Sequence, residues 1–298
     1  MGLNYNMPPI VFFGTEEHSL IALKALYEAQ FPIAAVITKP DAPKGRGGKL
    51  AEPAVKKFAH AHNIPVWQPT RLKDVYENIL ALESPIGVLV SYGKIIPQSI
   101  IDLFMPGIIN LHPSLLPKYR GPSPIEAAMI NLDDTTGVSI MKLDAKMDAG
   151  PIYYQTEIPL TQQESRTELY DKLFSIGSNK LVEILPRIVS GSLQPTPQNH
   201  NEATYCQLLS KDNSLLDPTV LTATQAEARV RAYIGFPRTK ITVNDQQIII
   251  TKAHIASQPE TIMDQRFTDN NYLIVDEIIS PVSGKTMPTQ SYLNGLRA

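Results

Sequence analysis

Short apolar runs along this chain alternate with stretches in which apolar positions return every three or four residues. Residues 10–13 are a compact apolar run closed by Gly14 and Thr15, after which Leu20, Leu23, Leu26 and Tyr27 recur at helical spacing. That pattern predicts a strand, a turn and a helix. Residues 33–38 form a second, β-branched run, and Glu52 with Pro53 then opens a helix carrying Val55, Phe58 and Ala59 on one face. Residues 87–92 and 107–111 predict a third and a fourth strand, separated by a helix over 98–104 that Pro97 starts. Continuous apolar strands alternating with amphipathic helices predict an α/β fold, an open, mostly parallel twisted sheet covered on both faces.

The pattern changes beyond residue 137. Two strands, over 138–143 and 151–158, interleave polar with apolar positions, as expected at a partly solvated sheet edge. Ser165 and Glu168 spell a capping box before Leu169, Leu173, Ile176, Leu181, Leu185 and Ile188, which line one side of a long helix. Residues 191–200, rich in Pro, Gln, Asn and Ser, have the composition of a connecting segment. After it, Thr224 and Glu227 predict a second capping box and a helix ending near Gly235. Residues 240–243 and 247–255 around Asn244-Asp245 read as a β-hairpin, and 272–279 as a further strand. The expected organisation is a first domain over 1–190, a linker over 191–209 and a small, mostly β domain over 210–298. Neither an internal repeat nor a low-complexity tract interrupts it.

Composition narrows the partners. A chain of 298 residues exceeds what one core usually covers, and 43% hydrophobic with 19% charged residues describes a globular protein. A formal net charge of -2 gives no bulk attraction to phosphate, so any nucleic-acid contact has to come from a local basic patch. The single cysteine, Cys206, leaves no internal disulfide and no cysteine zinc site, and the N-terminal residues lack a basic start followed by an apolar run; a reduced, cytoplasmic setting is expected. Residues 100–111 are apolar but broken by Asp102, Pro106 and Gly107, well short of the ~20 residues of a membrane span, so no membrane partner is expected. His18, His60, His62, His200 and His254 show no metal-ligand spacing, and a resident metal is not expected. Glu16, Glu17 and His18 stand where a dinucleotide fingerprint needs glycines, which argues against NAD.

Open parallel sheets place their ligand site at the carboxyl ends of the strands. The fourth strand ends in Asn110-Leu111-His112, and alternation along an extended chain points Asn110 and His112 to the same side. Alone, such a pair is a weak signal and reads first as ordinary hydrogen bonding. It is followed by SLLPKYRG over residues 114–121 and by KMDAG over 146–150. Together these segments resemble the family of formyltransferases that use 10-formyltetrahydrofolate, whose signature is an Asn, a His two residues on, a Ser-Leu-Leu-Pro loop and a later Asp-x-Gly turn. The resemblance implies a Rossmann-like catalytic domain followed by a small OB-like barrel, with the substrate amine attacking the formyl carbon directly. Attack puts negative charge on oxygen, for which the Asn110 amide and the His112 imidazole are suitable donors. A carboxylate beside an imidazole favours its protonated form and relays the proton leaving the attacking nitrogen, the role implied for Asp148. Taken by itself, Asp148 also reads as the cap of a tight turn before Gly150. By the same resemblance Ser114, Leu115, Leu116 and Pro117 shape the folate pocket, and Leu89, Val90 and Tyr92 offer backbone to the pterin.

The acceptor amine is addressed by residues 39–50, KPDAPKGRGGKL, a basic, glycine-rich loop after the second strand. It is similar to the loop with which family members acting on methionyl-tRNA enter the acceptor end. The arginine between glycines, Arg46, is central there, with Lys44 and Lys49 beside it and Lys211 as a further implied contact. On composition alone the stretch is a solvated loop whose charges also suit a sugar phosphate. The similarity continues through residues 12–15, 203–205, 281–288 and 292–295. Two departures stand out: residues 233–238 (YIGFPR) replace a Trp-containing segment, and basic and acidic residues balance from 207 onward. Phosphate binding there then requires Lys211, Arg229, Arg238, Lys240 and Lys252 to share one face. The expected function is formyl transfer to the free amino group of initiator methionyl-tRNA, for translation initiation, by a monomer. A nucleotide-amino-sugar N-formyltransferase is the enzymatic alternative, and a catalytically inactive folate- or RNA-binding protein the non-enzymatic one.

Overall fold

The structure, a computed structural model, describes residues 7–44 and 49–296. Contacts divide the chain into two compact units, each discontinuous in sequence. The first takes residues up to 122 with 137–157 and 170–205; the second takes 123–136, 158–169 and 206 onward.

The first part of the chain runs β1 (Ile10–Gly14), α1 (Ser19–Glu28), β2 (Ile33–Ile37), a short pair β3 (Ala42–Lys44) and β4 (Lys49–Ala51), α2 (Ala54–Ala61) and β5 (Val66–Trp67). It continues with α3 (Tyr76–Leu80), β6 (Ile86–Val90), α4 (Gln98–Ile101), β7 (Ile108–His112), α5 (Pro124–Ile130), β8 (Thr135–Lys142), β9 (Ile152–Pro159) and α6 (Arg166–Val189). Seven strands form one sheet in the order β5-β2-β1-β6-β7-β8-β9. The pairs β2/β5, β1/β2, β1/β6 and β6/β7 are parallel, and β8 runs antiparallel to β7. Both faces are covered, as the unbroken apolar runs require: β1 is buried along its whole length. Val11, Phe13 and Ile37 pack with Tyr92, Ile100 and Phe104 in one cluster. Each such fully buried side chain contributes about 1.5–3 kcal/mol of transfer free energy. Strand order reverses at β1, whose right-hand neighbour is β6, so the crevice of an open α/β sheet lies at the carboxyl ends of these strands.

Several element limits differ from expectation for local reasons. β6 stops at Val90 because Ser91 turns at φ +48°. α4 ends at Ile101 rather than 104, ahead of Pro106, which disfavours helical geometry in the residue before it. β8, expected to be partly solvated, is buried on both sides between β7 and β9; only β9 alternates with solvent. β5 and α5 carry no periodic signal. β5 has two residues, and α5 buries six of its seven side chains, Glu126 among them, so it has no polar face to mark it.

The second unit adds α7 (Ala223–Ala232), β10 (Thr239–Val243), β11 (Gln246–Ala256), β12 (Gln265–Arg266), β13 (Tyr272–Ile279), β14 (Thr286–Pro288) and α8 (Thr289–Leu296). Its strands form an antiparallel sheet in the order β10-β11-β13-β12, with β14 on β13, curled as a half-barrel. Asn244 and Asp245 both take positive φ, +46° and +62°, giving the tight turn between β10 and β11. The helix cap lies two residues earlier than expected: Thr222 and Gln225 form the box, because Ala223 and Ala226 have to face the core. Residues 123–136 join this unit because α5 packs on α7. Each unit is therefore assembled from separate stretches of the chain.

Candidate active site

β7 carries the site. Its alternation sends Leu111 toward Gly177 of α6, where an added Cβ would stand 2.8 Å from Leu111 Cδ1, and sends Asn110 and His112 to the opposite face. Both are buried, at 4% and 5% exposure. A buried amide and imidazole need partners, and the third residue of the set supplies them. Asn110 Nδ2 donates to Asp148 Oδ1 (3.3 Å), and His112 Nδ1 lies 3.8 Å from Asp148 Oδ2. Asp148 Oδ2 also accepts from the backbone N–H of Gly121 (2.9 Å). Asp148 sits at φ +46°, a conformation that Asp adopts more readily than most residues.

The second imidazole nitrogen is committed. His112 Nε2 is 2.9 Å from the carbonyl oxygen of Tyr119, and a carbonyl only accepts, so Nε2 carries a proton. Nδ1 is the nitrogen that faces the Asp148 carboxylate. Tyr119 is itself at φ +58°, unusual for a bulky residue, with its N–H held by Thr204 Oγ1 (2.9 Å).

The loop after β7 is fastened to the sheet from below. Register places Ser139 of β8 opposite His112. Ser139 Oγ donates to the carbonyl of Ser114 (2.6 Å) and accepts from the N–H of Leu116 (3.0 Å), while Gln155 Nε2 donates to the Leu116 carbonyl (2.7 Å). Ser114 Oγ closes the loop on the Lys118 carbonyl (2.7 Å). Leu115 lies on Gly137, where a Cβ would come within 2.5 Å of it, and Leu116 is buried. Pro117 completes the loop, its carbonyl accepting from the N–H of Thr204 (3.2 Å). Across the sheet Leu89 pairs with Asn110, which sets the end of β6, with Val90, beside the site. The ring of Tyr92 points into the apolar core, and its carbonyl accepts from Thr15 Oγ1 (3.1 Å).

Of the basic residues, Lys44 and Lys49 pair in register, at the end of β3 and the start of β4. Arg46 lies outside the described residues. Lys211 is exposed, in a 3-10 turn of the second unit. Sequence reasoning passed over Arg120 and Gln198. Arg120 is 3% exposed, with Nη2 bound to Gln198 Oε1 (2.6 Å) and 2.9 Å from His200 Nδ1. Its position beside Gly121 was the one available signal. Among the described residues no group of three or more His, Cys, Asp or Glu is placed to hold a metal, and no helix is long and apolar enough to cross a membrane.

Paired hydrogen-bond donors backed by a carboxylate, at the carboxyl edge of a parallel sheet, suit transfer of an acyl-type group to a nucleophile. Comparison with known proteins agrees. The formyl transferase family profile matches residues 9–185. A methionyl-tRNA formyltransferase of Chloroflexus aurantiacus is 37% identical over 97% of this chain and 97% of its own length. One from Halorhodospira halophila is 36% identical over 97% and 96%. Among solved structures, an N-formyltransferase from Helicobacter canadensis, in complex with folinic acid and dTDP-3-aminofucose, shares the fold. Its TM-score is 0.68 at 19% identity, covering 90% of this chain and 98% of that one. The chain belongs to the formyl transferase family, on the branch whose curated members are methionyl-tRNA formyltransferases.

Proposed function

We propose that this formyltransferase moves the formyl group of 10-formyltetrahydrofolate, its donor substrate, to the free amino group of initiator methionyl-tRNA, with Asn110, His112 and Asp148 as the reaction centre. The observation that carries the reading is the convergence of Asn110 Nδ2 and His112 Nδ1 on one carboxylate, 3.3 and 3.8 Å away, in a chain similar over nearly its whole length to methionyl-tRNA formyltransferases. The amine attacks the formyl carbon, a C–N bond forms, and charge collects on the formyl oxygen. Asn110 Nδ2–H is one donor that meets it, and in this reading His112 acts as an imidazolium, protonated on both ring nitrogens, so that Nδ1–H is the other. Collapse breaks the bond from carbon to N10 of the folate. The proton leaving the new amide nitrogen passes by way of Asp148 toward N10, so no side chain of the protein is consumed. Ser114, Leu115, Leu116 and Pro117, with the backbone at Leu89, Val90 and Tyr92, border the donor. Ser114 and Leu116 are buried, and the hydrogen bonds that fasten the loop support a rigid wall there.

For the acceptor, Lys44, Arg46 and Lys49 in the 39–50 segment and Lys211 in the second unit are the residues assigned to tRNA. In this reading the enzyme works as a cytoplasmic monomer and supplies translation initiation. The test offers the purified chain 10-formyltetrahydrofolate with either charged initiator tRNA or a nucleotide amino sugar. Formylation of the tRNA amine is the expected product; formylation of the sugar alone would replace this reading with the amino-sugar one.

A further inference from the structure

Asp148 does not hold its own position. It stands in the turn between β8 and β9 at positive φ, and the turn is tight: a Cβ on Gly150 would come within 1.9 Å of the Lys142 carbonyl oxygen. The backbone of this turn is gripped by one side chain from the segment after α6. Gln198 Nε2 donates to the carbonyl oxygens of Asp148 (2.8 Å) and Gly150 (2.7 Å), so both amide hydrogens go to the turn. Gln198 Oε1 accepts from Arg120 Nε (3.2 Å) and Nη2 (2.6 Å). Carbonyls only accept and a guanidinium only donates, so the orientation of this amide is fixed by its neighbours. Gln198 is 7% exposed and Arg120 3%.

The bonds close a ring. The residue after Arg120 is Gly121, whose N–H binds the Asp148 carboxylate, while the Arg120 guanidinium reaches the backbone of the same aspartate through Gln198. Asp148 is thus held at a carboxylate oxygen by Gly121 and, through Gln198, at its backbone carbonyl by Arg120, two adjacent residues of one short stretch of chain. We propose that Gln198, oriented by Arg120, is a positioning residue for Asp148, setting where the carboxylate stands against Asn110 and His112. The proposal rests on Asp148 being the catalytic carboxylate. It assigns to a residue of the connecting segment a part in turnover that its distance in sequence conceals. Displacing a catalytic group by about 1 Å costs on the order of a hundredfold in rate.

Gln198→Glu tests it in the full-length enzyme. The glutamate keeps an oxygen for Arg120 and loses both N–H groups that hold the turn. With 10-formyltetrahydrofolate and charged initiator tRNA, kcat is expected to fall roughly tenfold to a hundredfold, with KM for both substrates close to wild type and Tm lowered by the two carbonyls left without a donor. Positioning acts through Asp148, so the double variant Asp148→Asn/Gln198→Glu is expected to be no slower than Asp148→Asn alone. An equal fractional loss in both backgrounds means a general structural role and overturns the proposal. So does wild-type kcat in Gln198→Glu when Asp148→Asn is crippled. Gln198→Met, which keeps the length and drops every hydrogen bond, is the second variant; failure of both Gln198 variants to fold assigns the residue to stability and likewise overturns positioning. Wild-type kcat in Asp148→Asn sinks the catalytic reading itself, and the proposal with it.

Discussion

His112 is specified atom by atom: Nε2–H is committed to the Tyr119 carbonyl at 2.9 Å, and Nδ1 faces Asp148. If His112 donates to the developing oxyanion as proposed, His112→Ala is expected to lower kcat on the order of a hundredfold or more, with folate affinity retained. Steady-state kinetics with a direct folate-binding titration decide it; unchanged turnover removes His112 from the mechanism. Tyr92 makes a separate prediction, on stability. Its hydroxyl is buried, has no hydrogen-bond partner among the described residues, and burial pushes its pKa up to about 12. An unfolded tyrosine loses its proton near ~10. The folded state therefore holds the proton more tightly, and stability falls as pH rises from about 10 toward 12. Tyr92→Phe should flatten that alkaline slope. At neutral pH it should gain about 1 kcal/mol, by removing an unsatisfied buried hydroxyl. Urea unfolding at pH 7 and above pH 10 checks both, and a less stable variant at pH 7 contradicts the first account of the hydroxyl.

At the scale of elements, the hairpin of β8 and β9 couples packing to chemistry. Gly137 in β8 and Gly150 in the turn before β9 are both glycine because backbone approaches backbone: a Cβ on Gly137 would meet the Thr156 carbonyl at 2.1 Å, and one on Gly150 the Lys142 carbonyl at 1.9 Å. Such contacts force the chain to move, since neither neighbour is the end of a flexible side chain. Gly150→Ala is expected to lower Tm by several degrees, for a cost of about 1–3 kcal/mol, and to reduce kcat more than it raises either KM, because the displaced turn carries Asp148. Gly137→Ala strains the strand farther from the turn. A loss of stability without a matching loss of kcat is its expected signature, and the two variants compared by calorimetry and kinetics separate packing from positioning.

The whole molecule sets limits on dissection. Residues 123–136 and 158–169 cluster with 206 onward, and α5 packs against α7. A chain ended at residue 209 therefore leaves the apolar faces of α5 without cover, and is expected to aggregate or to melt well below the intact protein. Size exclusion and thermal unfolding test this; a monomeric fragment with the full-length Tm would show that α5 does not need the cover of α7. Acceptor choice is better tested by a point change. If residues 39–50 meet the tRNA, Arg46→Ala lowers kcat/KM for charged tRNA strongly and leaves folate binding unchanged, and Arg46→Lys recovers part of the loss because charge returns without the planar fork. Unimpaired tRNA formylation by Arg46→Ala would leave the loop without that role.

Much of this molecule is written in local signals. The alternation of apolar runs and helical periods determined the parallel sheet, and Asn244-Asp245 determined the turn between β10 and β11, because strand period, helix period and turn geometry act over a few residues. The spacing of Asn110 and His112 put both on one face of β7 for the same reason. What only the tertiary structure decided lies far apart in the chain. Arg120 reaches Gln198 across 78 positions and Gln198 reaches Asp148 across 50, so no period or propensity records the ring that holds the carboxylate. Which ring nitrogen of His112 faces Asp148 follows from a carbonyl in a loop whose path the sheet imposes. α5 escaped detection because it is buried all round, and the start of α7 moved to Thr222 because the core, and not the capping motif alone, chose which alanines turn inward. Local chemistry thus settles which elements form and which residues are offered; their partners are settled by packing, whose contacts have no signature along the chain.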